Sequence, residues 1–183
     1  MLALSAALVI GIVQAGGSTD AKRSRALSRT QVAKPIAGTP PALAALRSAV
    51  SDLRDGGTTA FDAQLRALRG YPVVVNAWAS WCAPCEFELP FFQRQALRRG
   101  AKVAFLGINV RDARSAARRQ AARYPLPYPS FVDRSSDIIE RFGARGLPVT
   151  IFYDAAGTRQ MVHQGVFSSE QDLSQAIDRY AVR

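Results

Sequence analysis

Two β-branched runs, YPVVVNAW at 71–78 and KVAFLGINV at 102–110, narrow the possible folds more than any other feature of the chain. Neither alternates apolar with polar residues, so each is expected to be a strand buried on both faces. The stretch between them, from Ala83 to Arg99, has helical spacing and is closed by Gly100. Two buried strands joined through a helix make a crossover unit, and a sheet with two apolar faces needs helices on both.

The rest of the pattern extends this frame. Leu43, Leu46, Val50 and Leu53 predict a helix from Pro41 that stops at Asp55-Gly56-Gly57. Phe61, Leu65 and Leu68 predict a second, capped by Thr58 or Thr59 and ended by Gly70. Then come a cationic helix over 113–123, a proline-rich loop from Pro125 to Pro129, a short strand at Phe131 and a helix from Ser135 to Phe142. A strand from Val149 to Tyr153, a turn, a strand from Arg159 to Gly165 and a helix capped by Ser168 or Ser169 complete the chain. The expected class is α/β: a central mixed β-sheet flanked by helices, with an N-terminal helical extension.

The only two cysteines, Cys82 and Cys85, fall where the first buried strand hands over to its helix. Structural zinc needs four ligands, and besides these two the chain offers one histidine, His163, so no metal site is expected. Covalent haem attachment needs a histidine directly after the second cysteine, where this chain has Glu86. Thiol–disulfide exchange remains. At a helix start the unpaired N–H groups and the positive end of the helix dipole stabilise a thiolate, which makes Cys82 the expected nucleophile. Cys85, one turn inward, is then the buried resolving thiol, and Pro84 suits the first turn because its missing N–H would have had no partner there. Trp78 reads as core, and His163 as an ordinary strand residue.

A formal charge of +10 would allow an anionic partner, but the arginines are spread from Arg23 to Arg183 without a compact stripe interleaved with aromatics. No nucleic-acid partner is expected. The first fifteen residues, MLALSAALVIGIVQA, are uncharged and apolar and are followed by AGGSTD and a basic cluster. Residues 1–21 therefore read as a signal peptide or membrane anchor, with membrane contact possible through 1–15, residues 22–40 as a linker, and 41–183 as the folded domain. An extracytoplasmic location follows as an expectation.

The run VVVNAWASWCAPCEFELP resembles the active site of thioredoxin-like proteins, specifically the TlpA/ResA/DsbE group of extracytoplasmic thiol–disulfide oxidoreductases, whose pattern is WCxPCxxExP. Trp81, Cys82, Pro84, Cys85, Glu88 and Pro90 match it. FGARGLPVTIFYD is similar to the thioredoxin segment that carries a cis-proline. The resemblance covers about residues 60–183 and implies a thioredoxin-like fold with Pro148 as the cis-proline. It also implies Leu147 backbone open to an extended substrate, Trp81 shielding the pair, and no cofactor beyond the Cys82–Cys85 disulfide. Many cytoplasmic thioredoxins carry a buried aspartate where this chain has Asn76, which cannot titrate. Glu88, on the helical face of Cys85, is where the group places a replacement acid or base, the alternative being an exposed glutamate without a role. Pro90 is expected to kink the helix.

The function these readings imply is exchange of the Cys82–Cys85 disulfide with protein thiols outside the cytosol. The favoured direction is reduction, as in cytochrome c maturation, fed by a membrane thiol–disulfide donor. An oxidative folding catalyst and a redox-inert peptide-binding module on the same fold stay open as alternatives.

Overall fold

The structure is a computed structural model that describes residues 26–182; the expected leader or anchor at 1–21 lies outside them. Six strands form one sheet in the order β1-β4-β3-β2-β5-β6. They are β1 (Leu53–Arg54), β2 (Val73–Trp78), β3 (Ala104–Val110), β4 (Ser130–Asp133), β5 (Val149–Tyr153) and β6 (Arg159–Gln164). The first four run parallel, while β5 is antiparallel to β2 and β6 to β5, so the sheet is mixed as expected. Every residue of β2 and β3 is buried, as their unbroken apolar runs require.

Side chains leave each strand alternately. From β2, Val74 and Trp78 enter a core shared with α4 (Ala83–Arg99), α5 (Arg114–Arg123) and α7 (Glu170–Tyr180). Val73, Val75 and Ala77 enter the opposite core, with α2 (Pro41–Ser48), α3 (Gly57–Ala67) and α6 (Asp137–Glu140). Helix α4 continues through Pro90, which leaves the Glu86 carbonyl without its usual partner. The buried side of α4, including Cys85, Leu89, Phe92 and Ala96, holds it against the sheet. Among the described residues no helix is long and apolar enough to cross a membrane.

Three expectations need correction. The helix from Pro41 ends at Ser48 rather than running to Leu53. Ser51 takes a positive φ, its N–H donates to the Leu126 carbonyl, and Leu53 becomes strand β1 beside β4. Leu53 consequently joins the core of α4, not the core that holds Leu43 and Leu46. Second, α3 begins after Gly56, whose left-handed φ of 107° a threonine would not adopt easily, so neither Thr58 nor Thr59 caps it. Third, the described part of the 22–40 segment is not simply a linker. Ser28 caps a helical turn, α1 (Arg29–Val32), and Val32 is fully buried. Gln93 of α4 accepts from the Leu27 N–H and donates to the Leu27 and Pro125 carbonyls. Arg47 reaches from α2 to the carbonyls of Ala96 and Lys34, so the N-terminal segment is clasped to the far half of α4.

At the centre of the sheet Trp78 Nε1 donates to Ser130 Oγ at 3.0 Å, passing over Gly107. A Cβ at Gly107 would fall inside van der Waals contact of Ser130 Oγ and 3.2 Å from Trp78 Nε1. Gly107→Ala is therefore expected to destabilise the protein by about 2 kcal/mol, read as a lower urea midpoint with an unchanged slope.

Candidate active site

The redox pair is built by the end of β2. Residues 79–81 leave the sheet and Cys82 becomes the N-cap of α4 in an extended conformation, with Pro84 in the first helical turn. Cys82 and Cys85 are joined as a disulfide, their Cα atoms 5.2 Å apart. The Cys85 N–H donates to Cys82 Sγ at 3.2 Å, the helix-start contact that would stabilise a thiolate there. Cys82 keeps 4% of its surface and Cys85 none, which makes Cys82 the reachable sulfur.

The turn before Cys82 is held by a residue that sequence reasoning missed. Asp112 accepts from the Ser80 N–H and Ser80 Oγ, both at 2.6 Å, and from Asn109 Nδ2 at 2.9 Å. Trp81 Nε1 donates to the Arg111 carbonyl, and the residue, next to Cys82 in the chain, is 61% exposed. In the sequence Ser80 and Asp112 each follow the end of an apolar run, and it is the pairing of β2 with β3, which sets Trp78 opposite Asn109, that brings them together.

The β2–β5 register pairs Ala77 with Val149, which brings the Leu147-Pro148 step beside the Cys82 turn. The peptide bond between Leu147 and Pro148 is cis. A groove beside it is lined by Trp81, Val110, Arg111, Ile139, Arg145 and Leu147.

Glu88 is fully buried rather than an exposed helical glutamate. Asn76 Nδ2 donates to its Oε1 at 3.2 Å and the Phe167 N–H to its Oε2 at 3.1 Å. Burial dominates these two bonds, which favour the charged form, and the carboxyl is pushed up to about 8. Glu88 therefore carries its proton at neutral pH, one helical turn beyond Cys85. Tyr128, also buried, is held far above the ordinary tyrosine range by burial and by the nearby Glu88 charge. Glu86, the other acid of the helix start, is occupied by Tyr124 Oη and Arg123. Among the described residues no cluster of His, Cys, Asp and Glu could hold a metal ion.

The position of Glu88 has a consequence for stability. Its unfolded carboxyl titrates near 4.5 and its folded one near 8, so between those values the native state keeps a proton that the unfolded chain has lost. This contribution is fully present below about pH 4.5 and declines as pH rises to about 8, by on the order of 4 kcal/mol. Urea midpoints of the oxidised protein should fall from pH 5 to pH 8 and then level off, and Glu88→Gln should remove that slope.

Comparison with known proteins agrees with this geometry. The AhpC/TSA family matches residues 49–160. ResA of Geobacillus thermodenitrificans, a thiol-disulfide oxidoreductase, is 28% identical over 63% of this chain and 66% of its own. The thiol:disulfide interchange protein DsbE of Pseudomonas fluorescens biotype C is 36% identical over 54% of each. The chain thus spans between about half and two thirds of the length of these relatives. Among solved structures, MTB DsbF in its mixed oxidized and reduced forms aligns with a TM-score of 0.58 at 26% identity, covering 62% of this chain and 84% of that one. A secreted Mycobacterium tuberculosis disulfide oxidoreductase homologous to E. coli DsbE aligns with a TM-score of 0.53 at 25% identity, covering 62% and 85%. With a strand-to-helix Cys-x-x-Cys site on a mixed sheet and a family match over most of the domain, the chain belongs to the AhpC/TSA family and has a thioredoxin-like fold.

Proposed function

We propose that the protein is a thiol–disulfide oxidoreductase that exchanges its Cys82–Cys85 disulfide with protein thiols outside the cytosol. The observation that carries this is a disulfide at a helix start with a fully buried carboxyl one turn behind its inner sulfur. In the reducing direction, Cys82 thiolate attacks a substrate disulfide, forms a mixed disulfide and expels one substrate thiolate, which takes a proton. Cys85 then gives its proton to Glu88 carboxylate and attacks the Cys82 sulfur. The second substrate thiolate leaves, and the Cys82–Cys85 disulfide forms. Run in reverse, a substrate thiolate attacks Cys82 and Cys85 departs, taking the proton from Glu88. The protonated state at neutral pH suits the second case, and transient ionisation suits the first.

The Trp81–Leu147 groove would hold the substrate segment, with the Leu147 backbone as its pairing edge. The likeness to ResA and DsbE supports thiol–disulfide exchange with protein partners; the direction proposed is reduction of extracytoplasmic protein disulfides, of the kind used in cytochrome c maturation, with electrons from a membrane thiol–disulfide donor. The apolar residues 1–15 and the likeness to a secreted relative support the location.

Insulin reduction driven by dithiothreitol tests the activity: the wild type should turn over and Cys82→Ser should not, whereas a redox-inert binding module would give no turnover in either. Cys85→Ser should accumulate mixed disulfides with partners through Cys82, because no resolving thiol remains. A reduction potential below that of glutathione is expected for a reductase, and a potential well above it would make the protein an oxidant. Glu88→Gln should slow exchange at pH 7 by on the order of 100-fold and flatten its pH profile between 5 and 9. A wild-type rate across that range would remove Glu88 from the mechanism.

A further inference from the structure

Both residues ahead of Cys82 in its turn are tied to the segment that follows β3. Ser80 gives its N–H to Asp112 Oδ2 and its hydroxyl to Asp112 Oδ1, each at 2.6 Å. Trp81 gives its indole N–H to the Arg111 carbonyl at 3.1 Å. That segment is itself anchored. The Arg111 N–H donates to the Asp133 carbonyl at 2.9 Å, and Arg111 holds a left-handed φ of 46°, which an arginine keeps only where its surroundings impose it. Buried Asn109 donates to Asp112 Oδ2 at 2.9 Å. Asp112 is half-buried and, in a chain of net charge +10, forms no ion pair with an arginine or lysine among the described residues. Its oxygens serve neutral donors, two of them on Ser80.

One peptide group carries this anchorage to Cys82. The Ser80 N–H belongs to the amide whose carbonyl is that of Ala79, and the Ala79 carbonyl accepts from the Cys82 N–H at 3.2 Å. The amide is therefore held at one end by Asp112 and holds Cys82 at the other. Cys82 in turn sits as the extended N-cap of α4, with its sulfur 3.2 Å from the Cys85 nitrogen. In the oxidised protein the Cys82–Cys85 bond enforces that placement as well. In the dithiol the covalent link is gone, and the hydrogen-bonded turn has to do this without it. Building on the thiol–disulfide reading above, we propose that Asp112 is a positioning residue for Cys82, acting through the Ala79–Ser80 amide to keep the thiolate at the start of α4 once the disulfide has opened.

The N–H groups and the dipole of a helix start stabilise a thiolate only at short range, within the first turn. A turn that held Cys82 loosely would spend part of its time with the sulfur away from the Cys85 N–H and would lose that share of the stabilisation. The anchor thus favours the dithiol over the disulfide. The Asp112 charge pushes the other way, because a negative group near Cys82 disfavours a thiolate. Water screens a half-buried carboxylate, whereas the Cys85 N–H bonds to the sulfur directly, so positioning outweighs repulsion.

The two effects have opposite signs, which the equilibrium of the full-length protein with glutathione at pH 7 reads directly. There the Cys82–Cys85 disulfide and two glutathione thiols exchange for the dithiol and one glutathione disulfide. Asp112→Asn can keep all three contacts without the charge, its oxygen accepting from the Ser80 and Asn109 N–H groups and its nitrogen donating to Ser80 Oγ. Asp112→Ala keeps none. The Ala variant should move the equilibrium about threefold toward the disulfide, and its reduced form should react about threefold more slowly with iodoacetamide at Cys82. The Asn variant should lie within about 1.5-fold of the wild type in both measurements. Movement of both variants toward the dithiol would make Asp112 a charge alone. An Ala variant that loses stability to urea but keeps the wild-type equilibrium would make it a structural residue, and either result overturns the proposal. If Asp112→Ala does not fold, Ser80→Ala, which removes one of the two Ser80 bonds, should move the equilibrium about twofold toward the disulfide, and an unchanged equilibrium there overturns the proposal equally. The readout is separate from the exchange reading: a wild type without insulin turnover would sink that reading, while the glutathione equilibrium would still judge Asp112.

Discussion

Strand β2 has neither a free edge nor a free face. Strand β3 pairs with one edge over six residue pairs and β5 with the other over five, and all its side chains are buried. Its backbone groups are thereby satisfied within the sheet, and its end is among the best-fixed points in the molecule. The chemistry is placed by that strand. Its last residues hand over to the Cys82 turn, its pairing with β5 brings Pro148 alongside, and its one polar residue, Asn76, meets Glu88 across the interface with α4. A polar side chain in the middle of such a strand is tolerable only with a partner, and the partner here is the carboxyl next to the redox pair.

That carboxyl sets a compromise between two oxidation states. Buried beside a disulfide, which has no charge, it is most stable protonated. In the exchange proposed above, a group whose midpoint sits near neutrality instead of near 4.5 would be able to give or take the proton of Cys85. The two donors that hold it keep it from rising further. The protein thus tunes an acid by balancing desolvation against hydrogen bonds, with no other charge needed in the core.

The parts of the fold that were legible in the sequence are those governed by local period and by burial on both sides. The runs around Val74 and Leu106 could be little else than central strands, and the Cys82 helix start followed from where one of them ended. Leu53 was misread because its spacing from Leu46 and Val50 fits a helix equally well, and only the pairing of Leu53 with Ser130, far away in sequence, decides for a strand. Glu88 could be suspected from helical spacing to Cys85, but its burial depends on Phe167, seventy-nine residues on. Asp112 acts through contacts between elements, and no periodicity within one element reveals such contacts. The segment around Val32 looked like a linker because its polar composition outweighed a single buried apolar residue and a short capped turn.

The clasp between Leu27 and Gln93 governs how the domain can be presented. Gln93 stands eleven residues beyond Cys82, about 16 Å along α4. Leu27 therefore sits on the flank of that helix and not at the rim around the sulfur atoms. A tether fastened through this point would act as a leash at the back, which would leave the reactive end of the domain open to a bulky protein.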